Sequence, residues 1–161
     1  MSRPLVALLL ALAAAGCCDP LKPQEEAAVQ TWLECQDCES GALDSVLILG
    51  RCAVPRFAEA LHAGPTAPQL ATYRTYLLAL YGTVRKDTTA VGSTPSLAAM
   101  NAVAAVLGNY RVQYRSHAAY ALGRIGGTDA VRALDSALAD STNTGILRTD
   151  IMAARALAGG P

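Results

Sequence analysis

Apolar residues recur at steps of three and four along most of this chain, broken by short clusters of glycine, proline and small polar residues. That pattern predicts amphipathic helices joined by turns. Gln24 to Gln36 places Ala28, Trp32 and Cys35 on one face, with Glu25 and Glu26 in the first turn, where acids suit the helix dipole. Ser40–Leu49 and Val54–His62 follow as a pair, with Val46, Leu47 and Leu49 set against Phe57, Ala60 and Leu61. Gly64-Pro65-Thr66-Ala67-Pro68 stops that pair and starts a longer helix to about Lys86. Its stripe is Leu70, Tyr73, Leu77, Leu80 and Val84, flanked by Tyr76 and Tyr81, and at this spacing it reads as core rather than as a ligand box. The polar stretch Asp87–Thr94 predicts a loop, with Thr94 as a cap and Pro95 as a first helical residue. Leu97, Met100, Val103 and Leu107 form the next face, and Gly108-Asn109 is expected to end it with a turn.

From Arg111 to Ala158 the pattern repeats. Ala118-Ala119-Tyr120-Ala121-Leu122 is answered by Ala153-Ala154-Arg155-Ala156-Leu157, 35 positions later, and a fixed period of this size marks a helical repeat array. Leu49-Gly50-Arg51 and Leu122-Gly123-Arg124 share their spacing to Ala60-Leu61 and Ala133-Leu134, an offset of 73. In this reading Leu-Gly closes one helix and Ala-Val opens the next, because glycine enters the left-handed region without a Cβ penalty. Thr128-Asp129 and Pro55 suit the reopened helices. The block between should hold about one divergent repeat.

The run Arg115–Asp140, with AAYALGRIGG and DAVRALDSALAD, resembles the short HEAT-like repeat also found in phycobilisome lyases. The resemblance covers Tyr114–Ala158 and, more loosely, Leu43–Ala63. It implies an all-α fold, a short right-handed α-solenoid of stacked helix pairs. It implies nothing about activity, since such repeats serve unrelated scaffolds and a few enzymes, and no bilin-handling residue matches by motif. Asp140 and Arg148 resemble the Asp and Arg that bridge adjacent HEAT repeats, so they are expected to hold repeat to repeat.

At 161 residues, 52% hydrophobic and 5% aromatic, the chain is long enough for one domain with a core of Leu, Ala and Val. Its formal charge is zero but unevenly spread. Asp19–Ala60 has eight acids and three bases, Leu61–Pro161 has five acids and nine bases, and Arg3 supplies the remainder. Six arginines over the last 51 residues are too sparse for a nucleic-acid surface, and no nucleic-acid partner is expected.

Residues 1–16 read as an export signal. Arg3 gives a positive start, Leu5–Gly16 an apolar run of twelve, and Ala14-Ala15-Gly16 a small-residue ending before Cys17. Twelve residues rise only ~18 Å as a helix, short of the ~30 Å hydrocarbon core. The ending is similar to a bacterial lipobox, which implies lipidation of Cys17 and attachment to an envelope membrane, on the periplasmic or outer surface. Ala14 stands where Leu is commonest, and Cys18 competes as the modified residue. Residues 17–23, with Pro20 and Pro23, form a tether. Residues 24–161 form the repeat domain.

Four cysteines remain beyond Cys17. Cys35 and Cys38 are expected to form a local disulfide at the corner between the first two helices. Free or buried thiols, a redox dithiol, and a zinc set of Cys35, Cys38, Cys52 and His62 are the alternatives. Haem attachment fails because residue 39 is Glu. His62 and His117 form no catalytic set, and no phosphate loop, nucleophile elbow or zinc-protease motif occurs. No resident cofactor or metal is expected. The leading expectation is a non-enzymatic envelope lipoprotein that binds a protein or peptide of the envelope. In HEAT-like arrays the second helix of each pair lines the binding surface, which implies Arg56, Glu59, Arg132 and Asp135. The rival is a thiol-redox or zinc protein using Cys35 and Cys38.

Overall fold

Proline and glycine set most of the helix limits in the computed structural model, which describes residues 19–36, 38, 40–85 and 94–160. The export segment and Cys17 lie outside the described residues, as does most of the Asp87–Thr94 stretch. Helix α1 (Pro23–Glu34) opens on a proline, and the Lys22 amide donates to Glu25 Oε2 at 2.7 Å in a capping box. Helix α2 (Ser40–Leu47) leads through a 3₁₀ turn (Gly50–Ala53) into α3 (Val54–Ala63), which ends at Gly64 with φ +72°. Helix α4 (Ala67–Arg85) is capped by a reciprocal pair, the Thr66 amide to Gln69 Oε1 at 2.6 Å and the Gln69 amide to Thr66 Oγ at 3.5 Å. Then come α5 (Leu97–Ile125), α6 (Gly127–Ala139) and α7 (Gly145–Ala158). The described residues are all-helical, without a strand.

Helix α5 corrects three expectations. It runs 29 residues without a break, so Gly108-Asn109 is not a turn. An interior glycine costs only ~1 kcal/mol, less than the packing of the surrounding turns returns. It starts two residues later than expected, because Ser96 is the cap and accepts from the Ala99 amide at 3.2 Å. Its buried early positions are Ala99 and Val103, while Leu97 is 69% exposed. A related correction applies to α4, where Leu77 is buried but Val84 is 68% exposed. The outer half of that hairpin leaves an apolar groove of about 210 Å³ between Leu80, Val84, Val103 and Val106.

The core forms around α5, which packs against α3 and α7 and also touches α1, α2, α4 and α6. Tyr114, Phe57, Leu33, Leu61, Leu122, Leu134 and Ile151 are its largest fully buried side chains. On α1 the buried residues are Val29, Trp32 and Leu33, one position round from the expected Ala28 face. The repeated Leu-Gly-Arg lettering plays two roles. Gly50 (φ +55°) follows α2, whereas Gly123 is buried inside α5 and the helix ends three residues later at Gly126 (φ +67°). A Cβ at Gly123 would sit 2.8 Å from the Ala154 carbonyl oxygen and 2.9 Å from Ala154 Cα. Glycine here lets two backbones touch rather than closing a helix.

Of Asp140 and Arg148, both expected to hold repeat to repeat, Arg148 links α7 to α6 while Asp140 bonds within its own loop. Arg148 donates to the Leu138 carbonyl at 2.9 Å, and Asp140 accepts from the amide and hydroxyl of Thr142 at 2.9 and 2.7 Å. A further staple between elements, not evident from local sequence, is Arg115. It donates to the Leu61 carbonyl of α3 at 2.6 Å and to Asn143 Oδ1 at 2.7 Å, and Asn143 donates to the Ala137 carbonyl of α6 at 2.7 Å. The guanidinium satisfies the end of α3 directly, and the Asn143 that it holds satisfies the end of α6.

Candidate functional site

Where α5 crosses α7, the small residues that let the backbones close together also leave a shallow trough beside them. Trp32 of α1 walls its end, and the concavity measures about 990 Å³. Val112 and Tyr120 of α5 and Ile146, Ala153 and Leu157 of α7 give it an apolar lining. Ile146, Met152 and Leu157 of α7 are exposed, although the repeat lettering aligns Leu157 with the buried Leu122. The difference is physical: Leu122 has α3 and α7 packed around its helix, and α7 has no further helix on that side among the described residues.

Several of the polar residues that line it are hydrogen-bonded within the protein, Gln113 to the Cys35 carbonyl at 3.3 Å among them. Ser116 Oγ donates to Asp150 Oδ2 at 2.6 Å, joining α5 to α7. Trp32 Nε1 donates to the His117 carbonyl at 3.0 Å, and its ring lies 5.1 Å from the His117 ring and 6.1 Å from Tyr120. His117 Nδ1 lies 3.3 Å from the Leu33 carbonyl. A carbonyl only accepts, so Nδ1 carries the proton and Nε2 keeps a lone pair. Ser116 gives its proton to Asp150 rather than to an imidazole. The three residues therefore do not form a nucleophile, base and orienting acid in series.

Burial pushes His117 below its ordinary pKa, with the Leu33 and Trp32 carbonyls partly offsetting it. Above about pH 6.5 the histidine is neutral both folded and unfolded. As pH falls through that value, the unfolded chain takes up a proton that the folded chain refuses, so stability drops until the folded pKa is reached. The melting midpoint is expected to fall between about pH 7.5 and 5.5, and His117→Gln, which keeps a donor toward Leu33, should flatten that slope. An unchanged slope in the variant would remove His117 as its cause.

The four charged residues expected on a binding face are already paired within the protein. Arg56 bonds Glu26 at 3.3 Å, Gln30 at 3.3 Å and Glu59 at 3.6 Å. Burial works against its charge, but Tyr114, Glu59 and Glu26 outweigh that and raise its pKa. Asp135 of α6 accepts from Arg155 of α7 at 2.6 Å, and Arg132 pairs with Asp129 at 2.9 Å. None of the four lines the α5–α7 trough. Glu59 lines a smaller concavity of about 310 Å³ between α3 and α6, with His62 and Ser136.

Cys35 and Cys38 lie at disulfide distance, with Cα atoms 5.4 Å apart, and Cys38 packs against the core. Cys35 is the C-cap of α1, at the negative end of the helix dipole. That end disfavours the thiolate on which redox exchange depends. Cys52 is also disulfide-bonded. No group of three or more His, Cys, Asp or Glu able to hold a metal occurs among the described residues, so the set Cys35, Cys38, Cys52 and His62 is not assembled as a zinc site. No described helix is long and apolar enough to cross a membrane. No protein-family model, curated protein or solved structure matches this chain.

Proposed function

We propose that the protein is a non-enzymatic scaffold of the bacterial cell envelope, lipid-anchored through Cys17, that captures a protein or peptide segment in the trough between α1, α5 and α7. The observation that carries this reading is the trough itself: about 990 Å³, mostly apolar, with Ser116 bonded to Asp150 and Trp32 to the His117 carbonyl. A surface of that kind suits an amphipathic segment laid along it, the helix-in-groove mode of recognition. It favours the trough over the α3 and α6 surface, where Arg56, Glu59, Arg132 and Asp135 are spent on internal ion pairs.

The solenoid reading is part of the proposal. Helices α5 and α7 neighbour each other, as do α3 and α6, while α5–α6 and α6–α7 pack as consecutive elements. First helices beside first helices and second beside second is what stacked HEAT-like pairs require. The lipoprotein assignment draws on the Ala14–Cys17 ending alone.

Photo-crosslinking in envelope vesicles tests the capture site. A photoreactive residue at Ile146 in the trough is expected to give a discrete adduct that Val112→Asp abolishes, while one at Ser136 on α6 gives none. Equal adducts from both positions would sink the trough as the site. In the same cells Cys17→Ser should leave the chain unprocessed or unlipidated, and a soluble mature chain starting elsewhere would remove the lipid anchor from the proposal.

A further inference from the structure

A second concavity, about 480 Å³ and sharing no lining residue with the trough, lies where the C-terminus of α1 meets the first turns of α4 and the middle of α5. Its chemistry is one-sided. Glu34, Gln36, Gln69, Tyr73, Tyr76 and Tyr110 line it, and no Lys, Arg or His does. Glu34 Oε1 accepts from Gln30 Nε2 at 2.6 Å and Gln69 Nε2 at 3.1 Å, and the carboxylate also hydrogen-bonds Tyr110. These are neutral donors, and none of the ion pairs among the described residues includes Glu34.

Two further sources of negative potential converge there. Glu34 is the last residue of α1, whose final turn holds no basic side chain, so the carboxylate sits at the negative end of a helix dipole that disfavours it. The tyrosine rings add their π faces. Tyr73 stacks on Tyr76 at 6.1 Å and 17°, and lies 4.5 Å from Tyr110. The hydroxyls of two rings are engaged within the lining: Tyr73 accepts from Gln36 Nε2, and Tyr110 is bonded to Glu34. Tyr76, 59% exposed, leaves much of its ring open to a ligand.

We propose that this concavity binds an organic cation, an alkylammonium or guanidinium group, with Glu34 as the counter-charge and the rings of Tyr73 and Tyr76 as its platform. Hard metal ions need several oxygen ligands, and only one carboxylate lines the concavity. Ring faces instead favour weakly hydrated organic cations. The cation comes either from a free small amine or from a Lys or Arg side chain of a protein partner. The site stands independently of the trough, since it needs neither α7 nor Trp32.

Calorimetric titration of the full chain decides the matter. Choline, N-acetyl-lysine amide and N-acetyl-arginine amide are the cations, and 3,3-dimethyl-1-butanol is the uncharged isostere of choline. Saturable binding of at least one cation is expected, with the isostere failing to bind. Glu34→Gln, which removes the charge but keeps an oxygen able to accept from Gln30 and Gln69, and Tyr76→Leu should each weaken it about fivefold or more, while Tyr76→Phe retains it. Tighter choline binding assigns the site to small amines, and tighter binding of the capped amino acids assigns it to a partner's side chain. Equal binding of the isostere, no saturable binding of any cation, or affinity unmoved by both Glu34→Gln and Tyr76→Leu overturns the proposal.

Discussion

Leu122→Ala and Leu134→Ala each lower the stability of the folded chain by about 2–5 kcal/mol, the range for truncating a fully buried leucine. Both side chains are 0% exposed and belong to the one core cluster, Leu122 from α5 and Leu134 from α6. The loss combines the transfer energy of the removed carbons with the cavity left among neighbours that cannot collapse into it. Against the ~5–15 kcal/mol of a typical domain, either change is expected to bring the urea midpoint down sharply with little change in slope. Leu157→Ala is the matched control. It stands 35 positions after Leu122 in the repeat lettering, yet it is solvent-exposed, so its cost should stay below ~0.5 kcal/mol. If Leu122→Ala behaves like Leu157→Ala, the burial assigned to α5 is wrong.

Gly123→Ala is the second large effect, and its sign runs against helix propensity. Alanine in place of an interior helical glycine gains up to ~1 kcal/mol. At Gly123, however, the new methyl would meet the Ala154 carbonyl oxygen and Cα inside 3 Å. Those are backbone atoms, which cannot swing away as a flexible side chain would. Helices α5 and α7 must separate along their whole contact, at a cost of ~1–3 kcal/mol or more. Gly108→Ala, in the same helix but with nothing within 4 Å of the added carbon, should stabilise. Melting the two variants side by side gives opposite shifts. Two shifts of the same sign would mean that α5 and α7 do not touch at Gly123.

Much of the fold is legible because its punctuation is local. Pro55, Gly64 and Pro68 each act within a turn of their own position, so the limits of α3 and α4 follow from neighbouring residues. The all-helical class follows from the periodicity. What could not be read depends on distant partners. Gly108 and Gly123 look alike in sequence, but one faces open space and the other a second backbone. Arg115 cannot be told locally from Arg111, four residues earlier, because its two acceptors come from Leu61 and Asn143. The trough is invisible for the same reason, since Trp32 reaches it from α1 and Ile146 from α7. Tyr73 and Tyr76 read as core by spacing. Tyr73 does pack against the core, but Tyr76 is left outside it.

The place of Trp32 also bears on how the chain assembles in time. Its bond to the His117 carbonyl closes a separation of 85 residues, whereas Ser116–Asp150 closes 34 and Arg155–Asp135 only 20. The entropy lost in closing a loop grows with its length, and contacts between distant segments form slowly. Helices α5, α6 and α7 can therefore collapse on one another, and α1 can join α3 through Arg56 over 30 and 26 residues, before α1 meets α5. The seam between α1 and α5 is then expected to close last, and the one indole in the chain lies on it.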